Sequence, residues 1–331
     1  MPSNDPAIDL SPCDGDPLPA DFPSRRRVLM TASCRDCDPI PKVAEAGQVF
    51  EASGKRVQRM HNDVLVEADG YCGIWMTEII RRLHGHHEPQ EERLFHEVVS
   101  RLPAGATMFE LGGYWAYYSL WLKRVVPDAR TIIAEPDPVN LGVGRRNFAL
   151  NGQSAVFLEE AVGTAPGSMQ FRCEDGSTRE VAVTSVDALM ERHAVGFLDL
   201  LHADIQGAEL AMLEGAAETI RRGRVRLVMV STHHHNISGD PLTHQRCLRH
   251  LKNAGAHILC EHTIAESFSG DGLILASFDP RDADLAAVKI SYNRASESLF
   301  RETEYDLAEA RLARDRTRGW RLRLGWPRRA A

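Results

Sequence analysis

The sequence predicts an α/β protein on a doubly wound, mostly parallel sheet, with a lead-in before it and a helical tail after it. Two observations carry this. From residue 106 short apolar runs alternate with segments of helical apolar spacing, and the alternation lasts about 170 residues. The first run ends in Leu111-Gly112-Gly113, a glycine turn that leads directly into an aromatic-rich helical segment.

Residues 1–40 are rich in Pro, Asp and Ser and poor in aromatics, a composition that favours disorder or a course along the surface. Residues 41–105 read as a lead-in or cap. Within it, 57–67 has room for two short strands. Residues 74–83 and 91–102 have helical spacing, the second with Leu94, Phe95, Val98, Val99 and Leu102 on one side. The sheet domain, 106–280, opens with a strand over 107–111 and a helix over 115–125. Strands at 130–134 and 155–159 flank a helix at 139–151, closed by Asn151-Gly152. Strands or strand edges at 168–174 and 180–184 precede a helix at 185–193. There Ser185 can accept a backbone N–H and Asp187 suits the positive end of the helix dipole. A strand at 197–203, a helix at 208–223, a strand at 225–230 and a helix at 241–254, stopped by Gly255, follow. Strands at 257–260 and 272–278 complete the sheet. The tail, 281–331, has strong helix formers over 295–316 and a basic end with Trp320 and Trp326.

Composition narrows the class. The 331 residues are 43% hydrophobic, enough for one large domain with additions. A net charge of -7 gives the whole molecule no attraction for nucleic acid. No apolar run reaches membrane-spanning length. The N-terminus lacks the basic and apolar regions of a secretory signal, so a cytoplasmic location is expected. The basic tail leaves room for peripheral association with an anionic surface, and a homo-oligomer is compatible with the sequence. Seven cysteines, odd in number and thinly spread, do not make a disulfide framework. Cys34 and Cys37 form one CxxC, without the second pair of ligands that a familiar zinc motif supplies.

The sharpest signal is MFELGGYWAYYSLWL. Glycine after a strand lets backbone approach a ligand, and the following helix points N–H groups at it. A dinucleotide loop would read G-x-G-x-x-G and face a pyrophosphate. Here Glu110 precedes Gly112 and Gly113. A carboxylate there repels a pyrophosphate and suits a cationic amine and sulfonium, as in S-adenosylmethionine. Glu135 lies 25 residues further on, at the tip of IIAEPDP, where an acid accepts from both ribose hydroxyls. Tyr114, Ser119, Pro136, Glu160 and Ala161 complete the expected cofactor set.

At these residues the chain resembles the FkbM-type methyltransferases. ELGGYWAYYSLWL is similar to the family's D-x-G-A-x-x-G-x-x-S loop, and IIAEPDPVNLGVGRRNFALN to its second strand and helix. TSVDAL and DLLHADIQGAELAMLEGA resemble the segments around its fourth strand. The resemblance spans 89–278. It implies a Rossmann-like class I methyltransferase and methyl transfer from S-adenosylmethionine, usually to a hydroxyl of a sugar, glycan or secondary metabolite. The chain departs from the pattern with Glu110 for Asp, Ala116 for the last Gly, and His202 and Gln206 where Lys and Glu are common beside Asp204.

A hydroxyl acceptor must lose its proton, so a base or a metal is needed. Asp204, His202, His233 and His234 stand at strand ends and are the catalytic candidates. In an extended segment His233 and His235 share one side. With Asp204 they form an alternative set for a divalent cation, Mg or Mn. His86, His87 and Glu88 of GHHEPQEE, with Trp115, Gln206 and His235, are the candidate acceptor contacts. Two other readings compete: a nicotinamide-dependent oxidoreductase on the same sheet, and a non-catalytic scaffold in a glycan-assembly complex.

Overall fold

A computed structural model describes residues 18–52, 54–294 and 297–300. The lead-in starts with helix α1 (Arg25–Ser33) and a small antiparallel sheet, β1 (Val49–Ala52), β2 (Lys55–Arg59) and β3 (Leu65–Glu67). Helices α2 (Ile74–Arg82) and α3 (Pro89–Val99) follow. The expectation of disorder through residue 40 fails from residue 18 on. Val28 and Met30 of α1 are fully buried, and Thr31 Oγ1 donates to the Phe268 carbonyl at 2.9 Å. Averaged composition hid the short apolar face of this helix. The stretches 1–17 and 301–331, with both tail tryptophans, lie outside the described residues; of the helix expected over 295–316 only 297–300 are described, and these form a turn and a bend, not a helix.

The sheet domain begins with β4 (Thr107–Leu111), α4 (Tyr117–Val125), β5 (Arg130–Ala134), α5 (Pro138–Leu150) and β6 (Val156–Leu158). Strands β7 (Glu160–Val162), β8 (Gly167–Arg172) and β9 (Thr178–Thr184) form a separate three-stranded sheet. The chain continues through α6 (Val186–Arg192), β10 (Leu198–Ala203), α7 (Glu209–Glu214) and α8 (Ala217–Arg221). It closes with β11 (Val225–Thr232), α9 (His235–Ser238), α10 (Thr243–Asn253), β12 (His257–His262) and β13 (Gly272–Ser277). The single helix expected over 208–223 is two helices. Gly215, at the break, packs so closely that a Cβ there would meet the Gly163 carbonyl oxygen at 2.3 Å.

The main sheet has the order β12-β13-β11-β10-β4-β5-β6. The β11–β10–β4–β5–β6 ladders are parallel, and β13 runs antiparallel to both of its neighbours. This is the doubly wound, mostly parallel α/β architecture that the sequence predicts. Alternate residues of the central strands feed two apolar layers. Phe109, Leu111 and Ile132 enter one, Met108, Ile133 and Leu200 the other, all fully buried. Among the described residues, no helix is long and apolar enough to cross a membrane.

One register positions the site. Leu111 of β4 stands opposite Ala203 of β10, so Gly112 and Asp204 leave the sheet side by side. Gly112 has φ 78°, and a Cβ there would lie 1.7 Å from the Asp204 carbonyl oxygen. Gly112→Ala combines this clash with an unfavourable φ, and its expected cost is about 3 kcal/mol or more. Urea denaturation monitored by circular dichroism checks it.

Candidate active site

The glycine turn is tied to the next strand tip, because the N–H groups of Gly112 and Gly113 both donate to the Ala134 carbonyl, at 2.8 and 3.1 Å. Helix α4 then starts after Ala116, its N-cap residue, which has φ 58° and no side chain able to cap. Glu110 supplies the missing acceptor, as its Oε2 takes the Ser119 N–H at 2.9 Å. Its carboxyl is 3% exposed, and burial raises its pKa. Thus Glu110 closes the helix as well as facing the cavity. Glu135 Oε2 accepts the Tyr114 N–H at 3.2 Å and its Oε1 the Asp137 N–H at 2.9 Å. Burial pushes the Glu135 carboxyl up to about 7.

These residues border a cavity of about 660 Å³. Of the expected cofactor set, Glu110, Gly112, Gly113 and Tyr114 line it from the loop, and Glu135, Pro136, Glu160 and Ala161 from the neighbouring strand tips. Ser119 does not line it; it is fully buried in the first turn of α4. Trp115, His87, Glu88, His202, Asp204 and Gln206 reach the same cavity. Its described lining carries seven carboxylates and one arginine, Arg172.

A second chamber, of about 320 Å³, shares His87, Glu88, Asp204 and Gln206 with the first. Arg27, Trp75, His233 and Asp271 line this chamber alone. Here β11 runs two residues beyond the expected strand, so His233 sits at its tip. His233 Nδ1 donates to the buried Glu209 at 2.6 Å, and Nε2 faces Asp204 Oδ1 at 3.0 Å and Asp271 Oδ1 at 3.6 Å. Burial opposes its charge, but Asp271, Asp204 and Glu209 outweigh burial and raise the His233 pKa well above the usual imidazole value. Burial also works against ionised Asp204, and the bond from His233 holds its carboxyl low nonetheless. Burial first, then the nearby Asp204 and Glu88, push Asp271 up to about 7, against the lowering effect of His233.

The other expected histidines are placed differently. His202 Nε2 donates to Glu91 Oε1 at 2.7 Å, and Glu91 Oε2 accepts from Ser231 Oγ at 2.5 Å. Burial disfavours its charge, yet Glu91 raises its pKa, which makes His202 a buried counter-ion and a poor proton acceptor. His234 Nδ1 accepts the Asn236 N–H at 3.3 Å and so caps α9, and its ring stacks on Phe300 at 4.9 Å. The His235 ring lies 3.9 Å from that of His234, and neither histidine lines either chamber. The extended alternation expected for 233–235 fails because the chain turns into α9 at His234. The cation set of Asp204, His233 and His235 is therefore not brought together. His86 is buried away from both chambers, stacked on His61 at 4.2 Å. His87 stays at the cavity wall. Its Nδ1 is hydrogen-bonded to Glu92, and Nε2 faces Glu88 Oε2 at 3.4 Å. Burial opposes its charge, but Glu92 and Glu88 lift it to about 10.

Sequence reasoning missed Asp271. It looked beyond the ends of strands, whereas Asp271 precedes β13. That strand is antiparallel, so its start lies at the carboxyl edge of the parallel strands. The turn residues Ser269-Gly270-Asp271-Gly272 were the available signal. Glu91 was equally hidden, on a first helical turn that reads as solvated. Glu91→Ala would leave His202 and Ser231 without their buried partner, at an expected cost of about 3–5 kcal/mol. Chemical denaturation measures this directly.

The chain matches the methyltransferase FkbM domain over residues 105–258. No curated protein sequence matches it significantly. Among solved structures, it is similar to a precorrin-6y C5,15-methyltransferase from Geobacter metallireducens, with 13% identity and TM-score 0.37, over 57% of this chain and 88% of that one. It is also similar to a ribosomal protein L11 methylase from Lactobacillus delbrueckii subsp. bulgaricus, with 13% identity and TM-score 0.35, over 58% of this chain and 79% of that one. The stretch that is similar to the methyltransferase FkbM domain, residues 105–258, contains the glycine turn and the parallel strands whose carboxyl edge borders both chambers.

Proposed function

We propose that this domain transfers a methyl group from S-adenosylmethionine to a hydroxyl of a sugar, a glycan or a hydroxylated secondary metabolite. The observation that carries the reading is the pair of cavities joined at Asp204. The larger one fits the cofactor. Its many carboxylates suit a ligand that bears an ammonium and a sulfonium, and they repel the pyrophosphate of a nicotinamide cofactor. Glu135 has two oxygens at the cavity wall and no cation among its hydrogen-bond partners, as recognition of a neutral ribose diol requires. Bound S-adenosylmethionine supplies an electrophilic methyl carbon on sulfur.

The smaller chamber suits the acceptor. Glu88, Asp204 and Asp271 offer carboxylate oxygens to hydroxyls, and Tyr71 and Trp75 offer apolar ring faces. Positioning supplies most of the catalysis in an in-line displacement. Asp204, at the junction, orients the acceptor oxygen toward the donor cavity. His233 is held by Glu209 and carries positive charge between Asp204 and Asp271, so it serves as an electrostatic clamp. The Asp271 carboxylate would take the proton of the acceptor hydroxyl, and S-adenosylmethionine held in the larger cavity would supply the methyl group and retain the sulfur as a neutral thioether.

Calorimetry tests the cofactor. Purified protein binds S-adenosylmethionine, and Glu135→Ala weakens binding by about 100-fold, or 2.7 kcal/mol; a wild-type chain without affinity sinks the reading. The diol needs the ionised carboxylate, so the wild-type dissociation constant falls as pH rises through about 7. The base has its own signature. With both substrates saturating, turnover rises with pH through about 7 as Asp271 ionises. Asp271→Asn lowers kcat by about 100-fold or more and removes that acidic limb.

A further inference from the structure

Behind the two chambers the lead-in holds a second cluster of titratable side chains, which methyl transfer does not use. Cys37 comes from the turn after α1, His86 from the segment before α3, and Glu92 from the first turn of α3. Cys37 is 2% exposed, and His86 and Glu92 are completely buried. One donor atom from each lies within 4.8 Å of the other two. Thiolate, imidazole and carboxylate are the ligand types that zinc takes. Zinc bonds of about 2.0–2.3 Å place ligand atoms roughly 3.3–3.8 Å apart, within that span.

His86 Nδ1 is the ring nitrogen turned to Glu92, where a cation would take the place of the proton that the two now share. The Cys37 thiol donates to the Pro89 carbonyl at 3.4 Å, a weak bond for a group this deeply enclosed. The His61 ring, stacked 4.2 Å from that of His86, walls the cluster on one side.

We propose that Cys37, His86 and Glu92 form a buried site for one divalent cation of the zinc class. Cys37 binds as the thiolate and releases its proton to solvent, and a water or the Pro89 carbonyl takes the fourth position. The site stands behind the cavity wall and is linked to it. Glu92 also accepts the His87 N–H at 2.8 Å and bonds His87 Nδ1, and the other nitrogen of that ring faces Glu88. A cation on Glu92 therefore fixes the orientation of a ring that lines both chambers.

Elemental analysis of the full chain, purified without metal-affinity resin and dialysed against metal-free buffer, tests the site. Wild type retains one zinc per chain. Cys37→Ser and Glu92→Gln fall to about a tenth of that or less, and Cys260→Ser, on β12 outside the cluster, retains it. Replacement by cobalt gives wild type a thiolate-to-cobalt charge-transfer band, which decides the matter without any variant should Cys37→Ser fail to fold. The proposal is overturned by a wild-type chain that holds no zinc and takes none from a colorimetric chelator. A cobalt-loaded chain without the thiolate band, or a folded Cys37→Ser chain with full zinc, overturns it equally.

Discussion

The close approach of Gly112 to the Asp204 backbone is the constraint on which the rest of the site depends. Parallel pairing of β4 and β10 brings both chain exits to one point, and the Asp204 N–H donates to the Leu111 carbonyl at 2.9 Å. Only a residue without a side chain leaves room there. The consequence is chemical. Where the loop that borders the larger cavity meets the acid that opens onto the smaller one, the contact is between backbone atoms. Their separation is therefore insensitive to side-chain motion, which suits a displacement that depends on alignment.

Around that point the interior is unusually ionic. The first turn of α3 presents Glu88, Glu91 and Glu92 inward, each less than a tenth exposed. Each carboxylate meets an imidazole, with Glu91 on His202, Glu92 on His86 and His87, and Glu88 beside His87. A buried charge survives only when paired and hydrogen-bonded. The array is thus a single interdependent unit, and it couples the lead-in to the sheet domain. This also explains His202, which stands where the family resemblance implies another residue: it answers a carboxylate contributed by α3, a segment outside the matched domain.

Much of this was legible from residue patterns. The alternation of strands and helices gave the sheet, because buried parallel strands and amphipathic helices leave opposite periodicities in the chain. Glu110 and Glu135 were found because strand tips at the carboxyl edge are where such sheets bind ligands. The same rule concealed Asp271, which reaches that edge at the beginning of an antiparallel strand. Helix α1 escaped notice because its few apolar residues sit inside a stretch whose average composition resembles a solvated terminus. His234 and His235 misled because local alternation assumes an extended chain, and this chain turns.

The sequence by itself determined the fold class, the glycine turn and the pair of acids that face the larger cavity. These follow from local rules: periodicity, backbone freedom and charge at a strand end. Tertiary structure decided the role of each histidine and of every acid on α3. Whether an imidazole is a base, a counter-ion or a helix cap depends on which carboxylate lies 3 Å or so from it. Those carboxylates come from segments far away in sequence, Glu91 beside His202 and Asp271 beside His233 among them. Chain order carries no direct record of such pairings, because they are created only when segments distant in sequence pack together around the carboxyl edge of the parallel strands.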